Sequence, residues 1–384
     1  MARRFYLVLV FFGLVSVSVL AAPQVAQQAG DVIEELKLFS MAMGAIHEAY
    51  VGDTQPRNLT YEAIKGMLAG LGDKYAQFFD PALYELVKMS ISGEYAGIGV
   101  ILQVIDHYPQ VMSLRPDGAA LKAGVLPGDR ILKVDGKSIV DMPLPDVAKL
   151  LRGEANSDVR LTLERPNVKA PLDLVIKRER IEIESVKDAR IATKGIGYIH
   201  IADFQENTTQ QVNDALRKLD KEGLKALIID LRDNGGGLLE QAVDLSGLFL
   251  VKGQKVVSVK SKIKEQQKDH FTSGKYKTRK EPMVILVNGK SASASEIFSA
   301  CMQDSRRATI IGTQTFGKAS VQSVVPLDDK TAMKFTTARY LSPLGRMIDG
   351  VGIKPDQVID KKDSDTLDMQ VVQALSLLSE KISK

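Results

Sequence analysis

Apolar runs and amphipathic stretches alternate in the second half of the chain. Runs typical of buried strands lie at 198–201, 226–231 and 283–287. Amphipathic segments between and after these runs predict helices at 208–221, 238–250 and 294–303. Strands that alternate with helices are typical of an α/β domain, whose functional site lies at the carboxyl ends of the strands.

The middle of the chain has the pattern of a smaller, mostly β domain. Alternating runs predict strands at 130–134, 159–164 and 172–177. Helices are predicted to begin within 117–120 and to span 144–151. The residues Gly97, Ile98 and Gly99 predict a turn that runs into a further strand at Val100.

Apolar residues recur at helical spacing in the segment before Gly93 and again at the end of the chain. The apolar residues that recur at helical intervals are Val32, Leu36, Phe39, Met43, Ile46 and Tyr50. Thr60 is expected to cap a second helix, and residues 367–384 predict an amphipathic closing helix. The first helix presents its apolar face either to the rest of the chain or to a second copy.

Composition narrows the classes of function. Of the 384 residues, 45% are apolar and 26% are charged, as in an ordinary globular protein. The net charge of +4 is spread along the chain, which argues against nucleic-acid binding. The lysine-rich stretch 252–280 is expected to form a solvated loop or edge hairpin. Cys301 is the one cysteine of the sequence, so an intramolecular disulfide is excluded, and it is expected in a buried helix.

The first 22 residues have the pattern of an export signal. Two arginines precede the apolar stretch 5–15, and small residues follow it, so cleavage is predicted before Pro23 or Gln24. The stretch 5–22 is also just long enough to anchor the chain in a bilayer. Either interpretation predicts that the folded part works outside the cytoplasm.

The turn at Gly97, Ile98 and Gly99 can direct successive N–H groups at one anion. A chain-terminal carboxylate fits such a turn, and the strand at Val100 can accept a peptide by β-addition. A plain β-bulge would use the same glycines. The spacing to Asp-Gly-Ala-Ala at 117–120 and Gly-Asp-Arg-Ile at 128–131 resembles a PDZ domain.

A second glycine motif lies where a predicted strand ends and a helix begins. Residues 230–238 read Asp-Leu-Arg-Asp-Asn-Gly-Gly-Gly-Leu. Free N–H groups at a helix start favour negative charge, so this turn can supply an oxyanion donor. A phosphate site is the alternative, but no Gly-Lys-Ser/Thr ending follows.

A serine cluster and a lysine form the third constellation. Residues 291–296 read Ser-Ala-Ser-Ala-Ser-Glu before a predicted helix, where a serine can act as nucleophile or simply as a helix cap. The four histidines belong to no recognisable motif, and no Gly-x-Ser-x-Gly elbow occurs. Lys318 lies in Thr-Phe-Gly-Lys at 315–318, and burial away from other cations would lower its pKa enough for it to act as a base. Gln322 follows four residues later.

These motifs together resemble the bacterial carboxyl-terminal processing proteases, also called tail-specific proteases, over almost the whole chain beyond residue 30. The resemblance implies that Ser293 is the nucleophile, that Lys318 is the base and that Gln322 positions the lysine. It also implies an oxyanion hole formed by the N–H groups of Ala294 and Gly236, with no metal or cofactor. The family often has proline where Gly235 stands and glycine where Ala319 stands, so this chain departs from the family pattern at both positions.

The resemblance also implies a domain order and a function. The expected segments are a signal or anchor at 1–22, a helical segment at 31–90, a PDZ domain at 91–180, a ClpP/crotonase-like α/β peptidase core at 181–360 and a C-terminal helix at 361–384. The implied function is an endopeptidase in the periplasm, or on the extracytoplasmic face of the inner membrane, that binds protein tails and cleaves near them. Dimerisation through terminal helices and an adaptor protein are compatible with it. A silent PDZ scaffold and a crotonase-like acyl transferase are the alternatives.

Overall fold

A computed structural model describes residues 22–264, 267–360 and 367–383. The predicted signal lies outside this part of the chain, except for Ala22. The chain divides into two units, residues 1–78 and 79–384. Within the described residues, no helix combines the length and apolar character that crossing a membrane requires.

The first unit is helical. It contains α1 (Ala22–Ala49) and α2 (Pro56–Gly70), and β1 (Gln77–Phe79) begins in it. The prediction that Thr60 caps the second helix is wrong, because α2 begins at Pro56 and Thr60 donates its hydroxyl to the Pro56 carbonyl oxygen at 2.9 Å. Proline fits the first helical position, since its fixed φ suits the helix and its missing N–H would have had no partner there.

The second unit opens with α3 (Pro81–Ser92), which leads into the smaller β domain. The elements of this domain are β2 (Glu94–Gly97), β3 (Val100–Ile105), β4 (Tyr108–Leu114), α4 (Ala119–Lys122), β5 (Arg130–Val134), β6 (Lys137–Ser138), α5 (Leu144–Leu151), β7 (Asp158–Glu164), β8 (Leu172–Lys177) and β9 (Glu179–Glu182). The strands β3, β4, β5, β7 and β8 form one antiparallel sheet, and β2 pairs with β9. Their alternating residues enclose one apolar core, which includes Ile98 beside the glycine turn.

The larger domain is built on a six-stranded sheet. Its elements up to the second glycine motif are β10 (Val186–Thr193), β11 (Ile196–Ile201), α6 (Thr208–Lys221) and β12 (Ala226–Asp230). The elements that follow are α7 (Leu239–Ser246), β13 (Lys255–Ser261), β14 (Lys268–Phe271), β15 (Met283–Val287), α8 (Ala294–Asp304), β16 (Thr309–Gly312), β17 (Ser320–Pro326), β18 (Ala332–Leu341), β19 (Gln357–Val358) and α9 (Met369–Ser383). The sheet order is β10-β11-β12-β15-β16-β19, and all pairs except β10–β11 are parallel.

Both faces of this sheet are covered. The helices α6, α7 and α8 pack on one face around buried residues such as Leu216 and Phe298. On the other face, Ala374 and Leu378 of α9 pack against the sheet. The continuous apolar runs at β12 and β15, in which every residue is buried, follow from this double covering.

The lysine-rich stretch differs from its prediction in one respect. It does form a hairpin, with β13 and β14 paired antiparallel, but β13 is not a solvated edge. Val256, Val257 and Val259 are buried, and β13 also pairs with β18 in a second sheet. Lys255 and Lys260 flank the buried residues 256–259, so the charge near the ends of the strand conceals its buried interior.

Candidate functional site

Three neighbouring parallel strands bring the candidate residues to one edge of the main sheet. The loop after β12 carries Gly236, the loop after β15 carries Ser293, and the loop after β16 carries Lys318. The first two loops are joined directly, because the Ala292 N–H donates to the Asn234 carbonyl oxygen at 3.0 Å. The site therefore lies at the carboxyl ends of the strands, where the α/β pattern predicts it.

Ser293 occupies an unusual backbone position immediately before α8. Its φ angle is 55°, in a region that residues other than glycine seldom adopt. Its carbonyl oxygen accepts hydrogen bonds from the N–H groups of Glu296 and Ile297, at 2.9 and 3.0 Å, so the strained residue is anchored to the first turn of the helix. Residues held in such conformations cluster at functional sites.

The other two serines of the cluster hold the glycine turn. The Ser291 hydroxyl donates to the Leu231 carbonyl oxygen at 2.7 Å, and the Ser295 hydroxyl donates to the Asn234 carbonyl oxygen at 3.1 Å. Both side chains are fully buried. These contacts give Ser291 and Ser295 a packing role and distinguish them from Ser293.

Glu296 joins the candidate site in the structure, although sequence reasoning did not single it out. Its buried carboxylate accepts the N–H groups of Ser293 and Lys318 on Oε2, each at 2.9 Å. Its Oε1 accepts the Gly317 N–H at 2.7 Å and the Thr315 hydroxyl at 2.5 Å. Its position three residues after Ser293 is that of a capping box, and that spacing was the available signal.

Burial and hydrogen bonding act in opposite directions on Glu296. Burial raises the pKa of this carboxyl above its ordinary value, and the four hydrogen bonds oppose that shift. A buried carboxylate is costly unless its oxygen atoms are paired, so the donors from both loops are required. The two candidate residues are thereby held by one carboxylate oxygen.

The glycine turn packs against the candidate nucleophile. Gly236 has a φ angle of 102°, and a Cβ atom placed on it would lie 2.6 Å from the Ala292 oxygen and 2.7 Å from the Ser293 Cβ. The same atom would lie 2.9 Å from the Ala294 nitrogen. Only glycine allows the backbone to approach Ser293 and Ala294 this closely.

The two predicted oxyanion donors differ in their present hydrogen bonding. The Gly236 N–H donates to the Asn234 Oδ1 at 2.8 Å, while the Asn234 amide nitrogen donates to the Ile201 carbonyl oxygen at 2.8 Å. Ala294 is the first residue of α8, and the N–H groups of a first helical turn have no acceptor within the helix. Gly236 can serve as a donor only when the Asn234 side chain releases it.

Gln322 lies on β17, on the same strand face as Ser320. Its amide nitrogen donates to the Ser320 hydroxyl at 2.7 Å and approaches the Thr336 hydroxyl at 3.4 Å. Neighbouring Lys318 is placed by the turn at Gly317, whose φ angle is 86°. A Cβ on Gly317 would come within 3.0 Å of the nitrogen atoms of Val351 and Gly352, so this turn also requires glycine.

The glycine turn of the smaller domain borders a cavity of about 190 Å³. Its walls are Gly97, Ile98, Gly99, Val100 and Leu102 on one side and Leu144, Ala148 and Leu151 of α5 on the other. Tyr95 and Arg152 complete the lining, with the guanidinium carbon of Arg152 5.0 Å from the centre of the Tyr95 ring. Sequence reasoning missed these last two residues, because neither lies in the glycine motif.

The fold and the two sites define a peptidase core that carries a PDZ domain. The sequence profile of Peptidase family S41 matches residues 195–359, and that of a PDZ domain matches residues 110–165. The carboxy-terminal-processing protease of Bartonella bacilliformis is 37% identical over 86% of this chain and 76% of its own length. The chain belongs to this family of carboxy-terminal processing peptidases.

The chain is also similar to two further proteins. The carboxy-terminal processing protease CtpA of Bacillus subtilis is 37% identical over 81% of this chain and 66% of its own length. The solved structure of a photosystem II D1 C-terminal processing protease is 30% identical, covers 88% of this chain and 96% of that chain, and gives a TM-score of 0.49.

Replacing Glu296 by glutamine should slow peptide cleavage strongly. An amide nitrogen in place of one carboxylate oxygen cannot accept the N–H groups that converge there, so Ser293 and Lys318 lose part of their common support. We expect kcat to fall by about 100-fold, the scale of a misplacement near 1 Å. Glu240→Gln, on the exposed start of α7, is the matched control. Equal kcat values for the two variants would contradict this role.

Proposed function

We propose that this chain is a serine endopeptidase in which Ser293 and Lys318 form the catalytic pair. The observation that supports it is the shared Glu296 oxygen, which accepts the main-chain N–H groups of both residues at 2.9 Å. One buried acceptor fixes the separation of the two backbones, although the two residues are 25 positions apart in sequence (318 − 293). A nucleophile and its base need such fixed geometry.

The reaction follows from these roles. Neutral Lys318 takes the hydroxyl proton of Ser293 as Oγ attacks the scissile carbonyl carbon, and the carbonyl oxygen becomes an oxyanion. The N–H groups of Ala294 and Gly236 stabilise this charge once the Asn234 side chain releases Gly236. The tetrahedral intermediate breaks its C–N bond, and Lys318 returns the proton to the leaving amine.

Water completes the cycle. It attacks the acyl-enzyme ester on Ser293 while Lys318 accepts its proton, and cleavage of the ester C–O bond returns that proton to Ser293 Oγ. Gln322 is proposed to orient Lys318, since Gln322 is the third residue of β17 and Lys318 lies two residues before that strand begins. The proposal invokes no metal or cofactor.

Substitution of the catalytic pair tests the chemistry. Ser293→Ala and Lys318→Arg should each lower kcat on a disordered polypeptide by at least about 1,000-fold, because the nucleophile or the base is lost. Fragment analysis by mass spectrometry measures the rate. Ser299→Ala, a buried hydroxyl on the same helix, is the control and should retain activity. Full cleavage by Ser293→Ala would contradict the assignment of Ser293 and would require another nucleophile. It would favour neither a silent scaffold nor an acyl transferase, because neither of them cleaves a polypeptide.

We further propose that the PDZ domain captures the free carboxylate of the substrate tail. The N–H groups around Gly97, Ile98 and Gly99 receive the carboxylate, the edge of β3 pairs with the tail, and the apolar walls from α5 accept the last side chain. Arg152 adds positive charge to the same cavity. A tail bound in this way brings a nearby peptide bond to Ser293.

Ala148→Glu should weaken tail binding, because it places a negative charge in the cavity that receives the carboxylate. We expect KM for a tailed polypeptide to rise by about tenfold or more, equivalent to about 1.4 kcal/mol, with little change for a short blocked peptide. Val175→Glu, on an exposed position of the same domain, is the control. A rise in KM that is equal for both substrates would contradict tail capture.

We also propose that the chain is exported and forms a dimer through its terminal helices. The signal-like start motivates export, and the apolar residues of α1 remain exposed at Val32, Leu36, Phe39 and Ile46. Light scattering on the processed chain should give twice the protomer mass, and Leu36→Glu should reduce it.

Mass spectrometry should find a chain that begins at Pro23 or Gln24. A monomeric chain would contradict the dimer, and a chain that still carries residues 1–22 would contradict cleavage of the signal. An adaptor that presents substrates remains compatible with this arrangement.

A further inference from the structure

A buried tyrosine on the second sheet meets both candidate catalytic segments. Tyr340 lies on β18 and is 2% exposed. Its hydroxyl is 3.0 Å from the Ser293 carbonyl oxygen and also contacts the Lys318 carbonyl oxygen. Its own N–H donates to the Ala319 carbonyl oxygen at 2.9 Å, which fixes the tyrosine backbone beside the lysine segment.

The contacts of Tyr340 complement those of Glu296. Glu296 accepts the N–H groups of Ser293 and Lys318, whereas the Tyr340 hydroxyl contacts the carbonyl oxygens of the same two residues. Each catalytic backbone is therefore held at both of its polar groups by the same two side chains. A carboxylate supplies acceptors only, and the single proton of the phenol is the donor that the two carbonyl oxygens share.

We propose that Tyr340 is a positioning residue for the Ser293–Lys318 pair, an inference that rests on the proposed function. Its hydroxyl sets the distance between the two main chains from the carbonyl side and thereby opposes rotation about the Glu296 contact. Glu296 and Tyr340 together support the two residues from the N–H side and from the carbonyl side. The tyrosine itself touches neither substrate nor the reacting atoms.

The geometry also explains the choice of side chain. A phenylalanine would fill nearly the same volume within the apolar core but would leave the Lys318 carbonyl oxygen without this donor. The ring packs among buried residues, so it holds the hydroxyl in place at little cost in side-chain entropy. A shorter hydroxyl residue at position 340 would not reach the two carbonyl oxygens.

Tyr340→Phe tests the proposal in the full-length chain. We expect kcat on a disordered polypeptide with an apolar C-terminus to fall by about 10-fold to 100-fold, while KM changes by less than about twofold. Tyr276→Phe is the matched control, since Tyr276 packs partly buried against the same core and contacts neither catalytic segment. Its kcat should stay within about twofold of the unmodified chain.

Incorporation of 4-aminophenylalanine in place of Tyr340 separates positioning from packing. Its amino group restores a donor at the same ring position, so kcat should recover to within about threefold of the unmodified chain. This variant also provides the decisive measurement if Tyr340→Phe does not fold. A kcat for the aminophenylalanine variant as low as that of Tyr340→Phe overturns the proposal, as does an unchanged kcat for Tyr340→Phe.

Ser293→Ala, measured in parallel, distinguishes failure of this inference from failure of the proposed function. If Ser293→Ala is inactive and Tyr340→Phe is fully active, the peptidase assignment stands and the positioning role falls. If Ser293→Ala cleaves at the normal rate, the serine–lysine chemistry falls, and the positioning role for that pair falls with it.

Discussion

The buried carboxylate of Glu296 is the constraint on which the arrangement of the larger domain depends. A carboxylate enclosed in an apolar core is unfavourable unless nearly every lone pair is satisfied. Its donors come from the loop after β15 and from the loop after β16. Neither loop can move away without leaving the buried carboxylate partly unpaired, so we expect the two loops to keep a fixed position relative to each other.

The loop after β12 joins that edge by different means. Hydrogen bonds from Ser291 and Ser295 hold its carbonyl oxygens, and the absence of a side chain at Gly236 allows close contact with Ser293. The Asn234 side chain keeps the Gly236 N–H paired in this structure. The candidate site thus combines two segments that are held by shared contacts with one proposed donor whose N–H is occupied in this structure.

Much of the fold could be predicted from the sequence, because its signals are local. The strands at 130–134 and 283–287 and the helices at 144–151 and 208–221 have the predicted bounds, since each combines a clear period with flanking turn residues. The family was also confirmed. The buried stretch of β13 escaped prediction because lysines flank its valines, and Thr60 failed as a cap because Pro56 already supplied the helix start.

The site was predictable in its residue types but not in its supports. Ser293, Lys318 and Gln322 follow from the family resemblance that the motifs carry, and their roles stay predictions. The functions of Glu296 and Tyr340 depend on contacts between segments separated by 22 to 47 positions, which no local pattern records. The hydrogen bond of Gly236 to Asn234 depends on a side-chain rotamer, which a backbone motif does not specify.

Glu296 and Tyr340 contact main-chain atoms of Ser293 and Lys318, so the position of the two backbones does not depend on the proposed chemistry of their side chains. Glu296 binds the N–H groups of Ser293 and Lys318, and Tyr340 contacts their carbonyl oxygens, so these contacts do not depend on which side chains stand at the two positions. A chain disabled at Ser293 would therefore keep the shape of the working molecule. It could hold its natural targets without destroying them, and so serve as bait for their isolation from cells.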